Sequence, residues 1–136
     1  MALAVSVVIC TFDRPALLAA TVASVLNDAT QVPYEIVISD NSLAGHADAI
    51  VAAHAGGPVP VRSVRASPPN ISVARNAGIA GSTAPLVAFL DDDVVIEPGW
   101  LDAMAGALAQ GADGAVGPLR PVFEGGAPHW DQAGRR

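Results

Sequence analysis

At 136 residues the chain is long enough for one domain with a substantial core. Hydrophobic residues make up 51% and charged residues only 15%, which excludes a disordered chain. The net charge is −6, there is no lysine, and the seven arginines form no stripe or cluster beyond the terminal Arg135-Arg136, so nucleic-acid binding is excluded as the main function.

An anionic ligand would therefore need a metal ion or a few well-placed arginines. Aromatics are only 4%, so Val, Ile, Leu and Ala must fill the interior, as suits parallel strands buried on both faces. Cys10 is the single cysteine, lies in an apolar run and is expected to be a buried structural thiol. Without disulfides the chain fits a reducing compartment. No apolar stretch is long enough to span a bilayer, and no basic region precedes the first apolar segment as in a signal peptide. A cytoplasmic location is expected, with room for a peripheral place at the inner face of the membrane.

Val5-Ser-Val-Val-Ile-Cys10 reads as a buried strand. In the following Thr11-Phe-Asp13-Arg14-Pro15, Asp13 or a neighbour can cap a helix and Pro15 suits its first turn. Leu17, Leu18, Val22, Val25 and Leu26 then recur on one helical face. Tyr34 to Ser39 is a second strand ending at Asp40-Asn41-Ser42, and a helix is expected over about 47–54. Gly56-Gly57-Pro58 ends it, and Val59 to Val64 is a weaker third strand. Pro68-Pro69-Asn70 leads into a helix near Ser72 to Ala80, capped by Asn70 or Ser72. Pro85 to Leu90 is strongly strand-like and runs straight into Asp91-Asp92-Asp93. Glu97-Pro98-Gly99 opens another helix, with Trp100, Leu101, Met104 and Leu108 on one face, and Ala112 to Val116 is expected as a fifth strand. Residues 1–118 are read as one domain and 119–136 as a Gly/Pro-rich tail.

Strands alternating with helices imply right-handed crossovers and a mostly parallel α/β sheet between helical layers. Ligands of such open sheets bind outside the carboxyl ends of the strands. The clusters Thr11-Phe12-Asp13, Asp40-Asn41-Ser42 and Asp91-Asp92-Asp93 all follow strands at that edge. In an extended segment Asp91 and Asp93 can face one way, and hard oxygen ligands suit Mg²⁺ or Mn²⁺. A divalent ion held there could bridge the oxygens of a diphosphate and stabilise a departing nucleotide. A bare acidic triplet is more often a solvated turn capping the next helix; its place after an apolar strand favours the metal. Asp40 can accept hydrogen bonds from a base or ribose, or simply cap a turn. Arg75 can reach a phosphate, or make a surface ion pair. His46, His54 and His129 show no metal-ligand spacing and are expected at surface or helix positions. A serine–histidine elbow, a Lys-containing phosphate loop and the dinucleotide-binding glycines are all absent from the sequence.

Four segments together resemble the family 2 glycosyltransferases of Rossmann-like GT-A fold: residues 5–14, 35–42, Asn70-Ile-Ser-Val-Ala-Arg-Asn-Ala-Gly78 and Phe89-Leu-Asp-Asp-Asp-Val94. The resemblance runs over roughly 4–118, and residues 117–124 are similar to a continuation found in some bacterial members. It implies transfer of a sugar from a nucleoside diphosphate donor, a UDP-sugar foremost, with inversion, to a glycan or lipid-linked acceptor. It places Thr11 and Asp13 near the base, Asp40 on the base and Arg75 near the phosphates, with Arg14 and Asn70 also among the donor-binding residues. Asp91 would meet the ribose or sugar side, and Asp93, with Asp91, would hold Mn²⁺ or Mg²⁺; Asp92 would share either role. Two departures stand out: Ser39-Asp40 where the family often has paired acids, and Ile71-Ser72 where it often has a glycine.

Inverting transfer also needs a general base on the acceptor hydroxyl. In the family it comes from a later segment, after a Gly-Glu-Asp-like stretch that does not follow Asp93 here; Asp102, Asp113, Glu124 and Asp131 lack that context. A donor half, weak or inactive alone, is expected. A module that only binds the nucleotide sugar is the alternative. A phosphoacceptor receiver domain is disfavoured by the missing lysine.

Overall fold

The computed structural model describes residues 2–129, so Asp131 and Arg135-Arg136 lie outside the described residues. Four strands, β1 (Val5–Thr11), β2 (Tyr34–Asp40), β3 (Val61–Arg65) and β4 (Leu86–Asp91), form one sheet in the order β3-β2-β1-β4. Every pairing is parallel. Four helices lie wholly within the described residues: α1 (Pro15–Leu26), α2 (Ala47–Ala53), α3 (Ile71–Gly81) and α4 (Trp100–Ala109). This is the parallel α/β sheet flanked by helices that the sequence predicts.

The β-branched runs of β1 and β2 are buried along their whole length, because successive residues serve opposite faces of a covered sheet. Val7, Ile9, Ile36 and Ile38 pack with Leu18 and Val22 of α1 and with Leu101 of α4. Val8, Cys10 and Val37 pack on the other face with Ala74 of α3. Gly78 lets α3 come close to β1, since a Cβ there would collide with the Val8 side chain. Cys10 is the expected buried thiol, and burial pushes its pKa up.

Several local expectations are met. Pro15 opens α1, and the Asn70 side-chain carbonyl accepts the backbone N–H groups of Ser72 and Val73 at 2.8 and 3.3 Å, capping α3. Others change. Asp13 does not cap α1; Arg14 stands at that position without a side-chain hydrogen bond, and Asp13 instead takes a left-handed backbone with φ of 50°. The expected strand over Ala112 to Val116 is not formed: Val116 is almost fully exposed and no strand pairs there. A Val-Ala-Gly run can satisfy a strand pattern without any neighbouring edge to give it hydrogen bonds. Asp28 supplies the cap that Gly99 cannot, accepting the N–H groups of Gly99 and Leu101 at 2.7 and 3.3 Å.

The register fixes the geometry of the rim. Thr11 lies opposite Asp40, Asp40 opposite Arg65, and Cys10 opposite Asp91. The sequence-predicted polar clusters therefore end at one level, at the carboxyl edge of the sheet. The opposite edge is tied by Glu35, which is buried and accepts from Ser6 Oγ at 2.6 Å, from Arg62 Nε at 2.9 Å and from Thr83 Oγ1 at 2.8 Å.

Candidate functional site at the carboxyl rim

A groove of about 290 Å³ opens at this rim between the β1–α1 loop, the start of α3 and the end of β4. Thr11, Phe12, Arg14, Asn70 and Asp91 line it, with Pro69, Ile71 and Ala74 giving an apolar wall. Phe12 and Ile71 are about half exposed, which leaves their apolar surface available to a flat ring.

The three aspartates do not share one environment. Asp92 has no exposed surface, accepts the Thr11 hydroxyl at 2.7 Å and the Arg14 Nε at 3.2 Å, and forms a close ion pair with the other arm of that guanidinium. Asp91 and Asp93 are 61% and 47% exposed on either side of buried Asp92, but the extended segment expected there ends at Asp91, and Asp92 and Asp93 lie in a turn. Arg75 lies 3.9 Å from Asp91, and Arg14 lies 3.3 Å from Asp93. Both exposed carboxylates thus already face a cation. Among the described residues no three His, Cys, Asp or Glu side chains gather closely enough to enclose an ion.

Asp92 and Thr11 consequently serve as anchors rather than as open ligand groups. The Thr11 hydroxyl is committed to Asp92, and the pair welds the β1–α1 loop to the end of β4. Arg14 is half exposed and reaches from this anchor toward Asp93.

Asp40 also reaches the rim, but its carboxylate is turned inward. It is 1% exposed, and it accepts Ser42 N–H at 2.9 Å and Ala47 N–H at 3.0 Å, with Arg65 at 3.4 Å. Burial alone would raise its pKa; the hydrogen bonds from Ala47 and Ser42 and the Arg65 charge outweigh that and hold it below the usual carboxylate range. Of the two readings of Asp40, turn anchor and open acceptor for a base, the geometry matches the anchor. Asp13 is exposed beside the groove, its N–H donating to Ser42 Oγ at 2.8 Å and its carboxylate 3.3 Å from His46.

Three residues to which the sequence alone assigned no role build this rim. Asn41 is buried, donates to the carbonyls of Ala66 and Pro68, and accepts the Asn70 N–H at 2.7 Å, joining the end of β2 to the start of α3. Arg65 grips Asp40 and the Ser42 carbonyl. His46 holds Asp13. Each acts on a partner distant in sequence, although an Asn directly after a strand-end Asp was a usable signal for a loop brace.

The profile of glycosyl transferase family 2 matches residues 6–135 of the chain. The succinoglycan biosynthesis protein ExoM of Rhizobium meliloti is 32% identical over 130 residues, which are 93% of this chain and 42% of that protein. The hyaluronan synthase of Pasteurella multocida is 27% identical over 120 residues, 86% of this chain and 12% of that one. The chain thus spans less than half the length of these relatives. Among solved structures, residues 1–349 of Staphylococcus aureus TarS superpose with a TM-score of 0.69 at 16% identity, covering 86% of this chain and 39% of that one. The same TarS portion in complex with UDP-GlcNAc superposes with a TM-score of 0.66 at 16% identity, covering 86% and 37%. With the profile matched over nearly its whole length, the chain belongs to glycosyl transferase family 2.

Proposed function

We propose that the rim groove binds the nucleoside diphosphate of a sugar donor, UDP-sugars foremost, and that the chain is the donor-binding portion of an inverting transferase acting on a glycan or lipid-linked acceptor. The observation that carries this is one groove lined by Arg14, Asn70, Asp91 and an apolar wall, with Arg75 beside Asp91 and Asp93 beside Arg14. The name of the TarS complex and those of the polysaccharide-forming relatives support the same reading.

In this reading Phe12 and Ile71 receive the base, and Asp13 lies at the base or ribose end. Arg14 and Arg75 turn from their carboxylates to the phosphate oxygens. A guanidinium suits them, since its fork matches phosphate geometry. Thr11, Asp40 and Asp92 act from behind by holding the loops.

The exposed pair Asp91 and Asp93 fits a divalent ion shared with a ligand. Two carboxylates leave the remaining coordination positions to diphosphate oxygens and water, the arrangement Mg²⁺ and Mn²⁺ favour. Both carboxylates attract cations already, in the form of the two arginines. When bound, the ion would act as a Lewis acid on the leaving diphosphate. A place at the inner face of the membrane belongs to the same proposal; no helix among the described residues is long and apolar enough to cross a bilayer.

Calorimetry with UDP, in Mn²⁺ and in excess chelator, tests the reading. Metal-enhanced binding is expected, and absence of binding in both conditions would overturn it. Release of free sugar or its transfer from a bound donor separates a transferase from a module that only binds.

A further inference from the structure

His46 stands just before α2, outside the groove, and its Nε2 is 3.3 Å from the Asp13 carboxylate. Asp13 is the only non-glycine residue with positive φ among the described residues. A side chain with a Cβ disfavours that conformation, so the surroundings must impose it. Two contacts do so, and both come from the β2–α2 loop: Ser42 Oγ accepts the Asp13 N–H at 2.8 Å, and His46 takes the carboxylate. Asp13 stands between Phe12 and Arg14, and both of these neighbours line the groove.

We infer that His46 is a positioning residue for the donor site: it acts through Asp13, holding the turn that presents Phe12 and Arg14 to a nucleoside diphosphate. This rests on the donor reading of the groove and adds a residue that the reading did not need.

The test measures the Kd of UDP-glucose in Mn²⁺. His46→Ala should weaken binding about three- to fivefold, as befits a half-exposed pair. His46→Gln keeps a polar side chain of similar reach beside Asp13, so it should recover most of the affinity. Asp13→Gly adopts positive φ without strain, so adding His46→Ala to it should cost nothing further. The inference is overturned if His46→Ala binds as the wild type does, or if His46→Ala costs as much beside Asp13→Gly as alone. Failure of the wild type itself to bind would overturn the donor reading, and this inference with it.

Discussion

Thr11 and Asp92 lie 81 residues apart in sequence, and the hydroxyl of the first donates to the carboxylate of the second at 2.7 Å. The bond joins the end of the central strand to the middle of the acidic run, and it divides that run into an anchor and two exposed flanks. Asp92→Ala would strand the buried Thr11 hydroxyl and release Arg14. A loss of about 1–3 kcal/mol in urea unfolding is expected, the cost of an orphaned buried polar group.

Asp93→Ala should behave in the opposite way. Its carboxylate is about half exposed, so stability should change by no more than about 0.5 kcal/mol. Mn²⁺-dependent affinity for UDP should fall at least about tenfold, or ~1.4 kcal/mol. Calorimetry showing unchanged affinity in the presence of metal would remove Asp93 from the metal site.

Arg75→Ala separates phosphate from base. The side chain is half exposed and lies by Asp91 rather than in the apolar wall. Affinity for UDP should drop about fivefold, in line with a partly solvated charge contact, while that for uridine stays the same. Equal losses for the two ligands would count against a phosphate contact.

The Glu35 brace sets a pH limit on the fold. Burial pushes this carboxyl up, but hydrogen bonds from Arg62, Ser6 and Thr83 outweigh it and bring the pKa down to about 2, from 4.5. A depressed folded-state value means stability that is present above pH 4.5 and lost as pH falls toward 2. The contribution is on the order of 3 kcal/mol for the buried group. Thermal unfolding between pH 5 and 2 should therefore be less acid-sensitive in Glu35→Gln, although that variant starts from lower stability. Parallel curves for the two proteins would refute the assignment.

The fold was largely legible because its signals are local. The β-branched run of β1, Pro15 at the start of α1 and Asn70 before α3 each declare an element through their own backbone preferences. What could not be read were roles set by distant partners. Nothing near Asp92 in sequence shows that Thr11 and Arg14 bury it. Asp40 carries equal promise as a ligand and as a brace until Ala47 and Arg65 close around it. Glu35 carried a usable signal that the sequence reading did not take up, since an acid within an otherwise apolar strand must find partners. The run over 112–116 failed for the converse reason: strand character needs an edge to pair with.

The rim loops are fastened through buried side chains, with Asp92 holding the β1–α1 loop, Asp40 the β2–α2 loop and Asn41 the approach to α3. Their conformational entropy is thus surrendered when the chain folds, not when a ligand arrives. A nucleotide meeting this preorganised cradle needs to order little more than the ends of Arg14 and Arg75. Amide exchange in residues 11–14 and 40–42 should consequently be slow in the free protein, and saturation with nucleotide should slow it only slightly further.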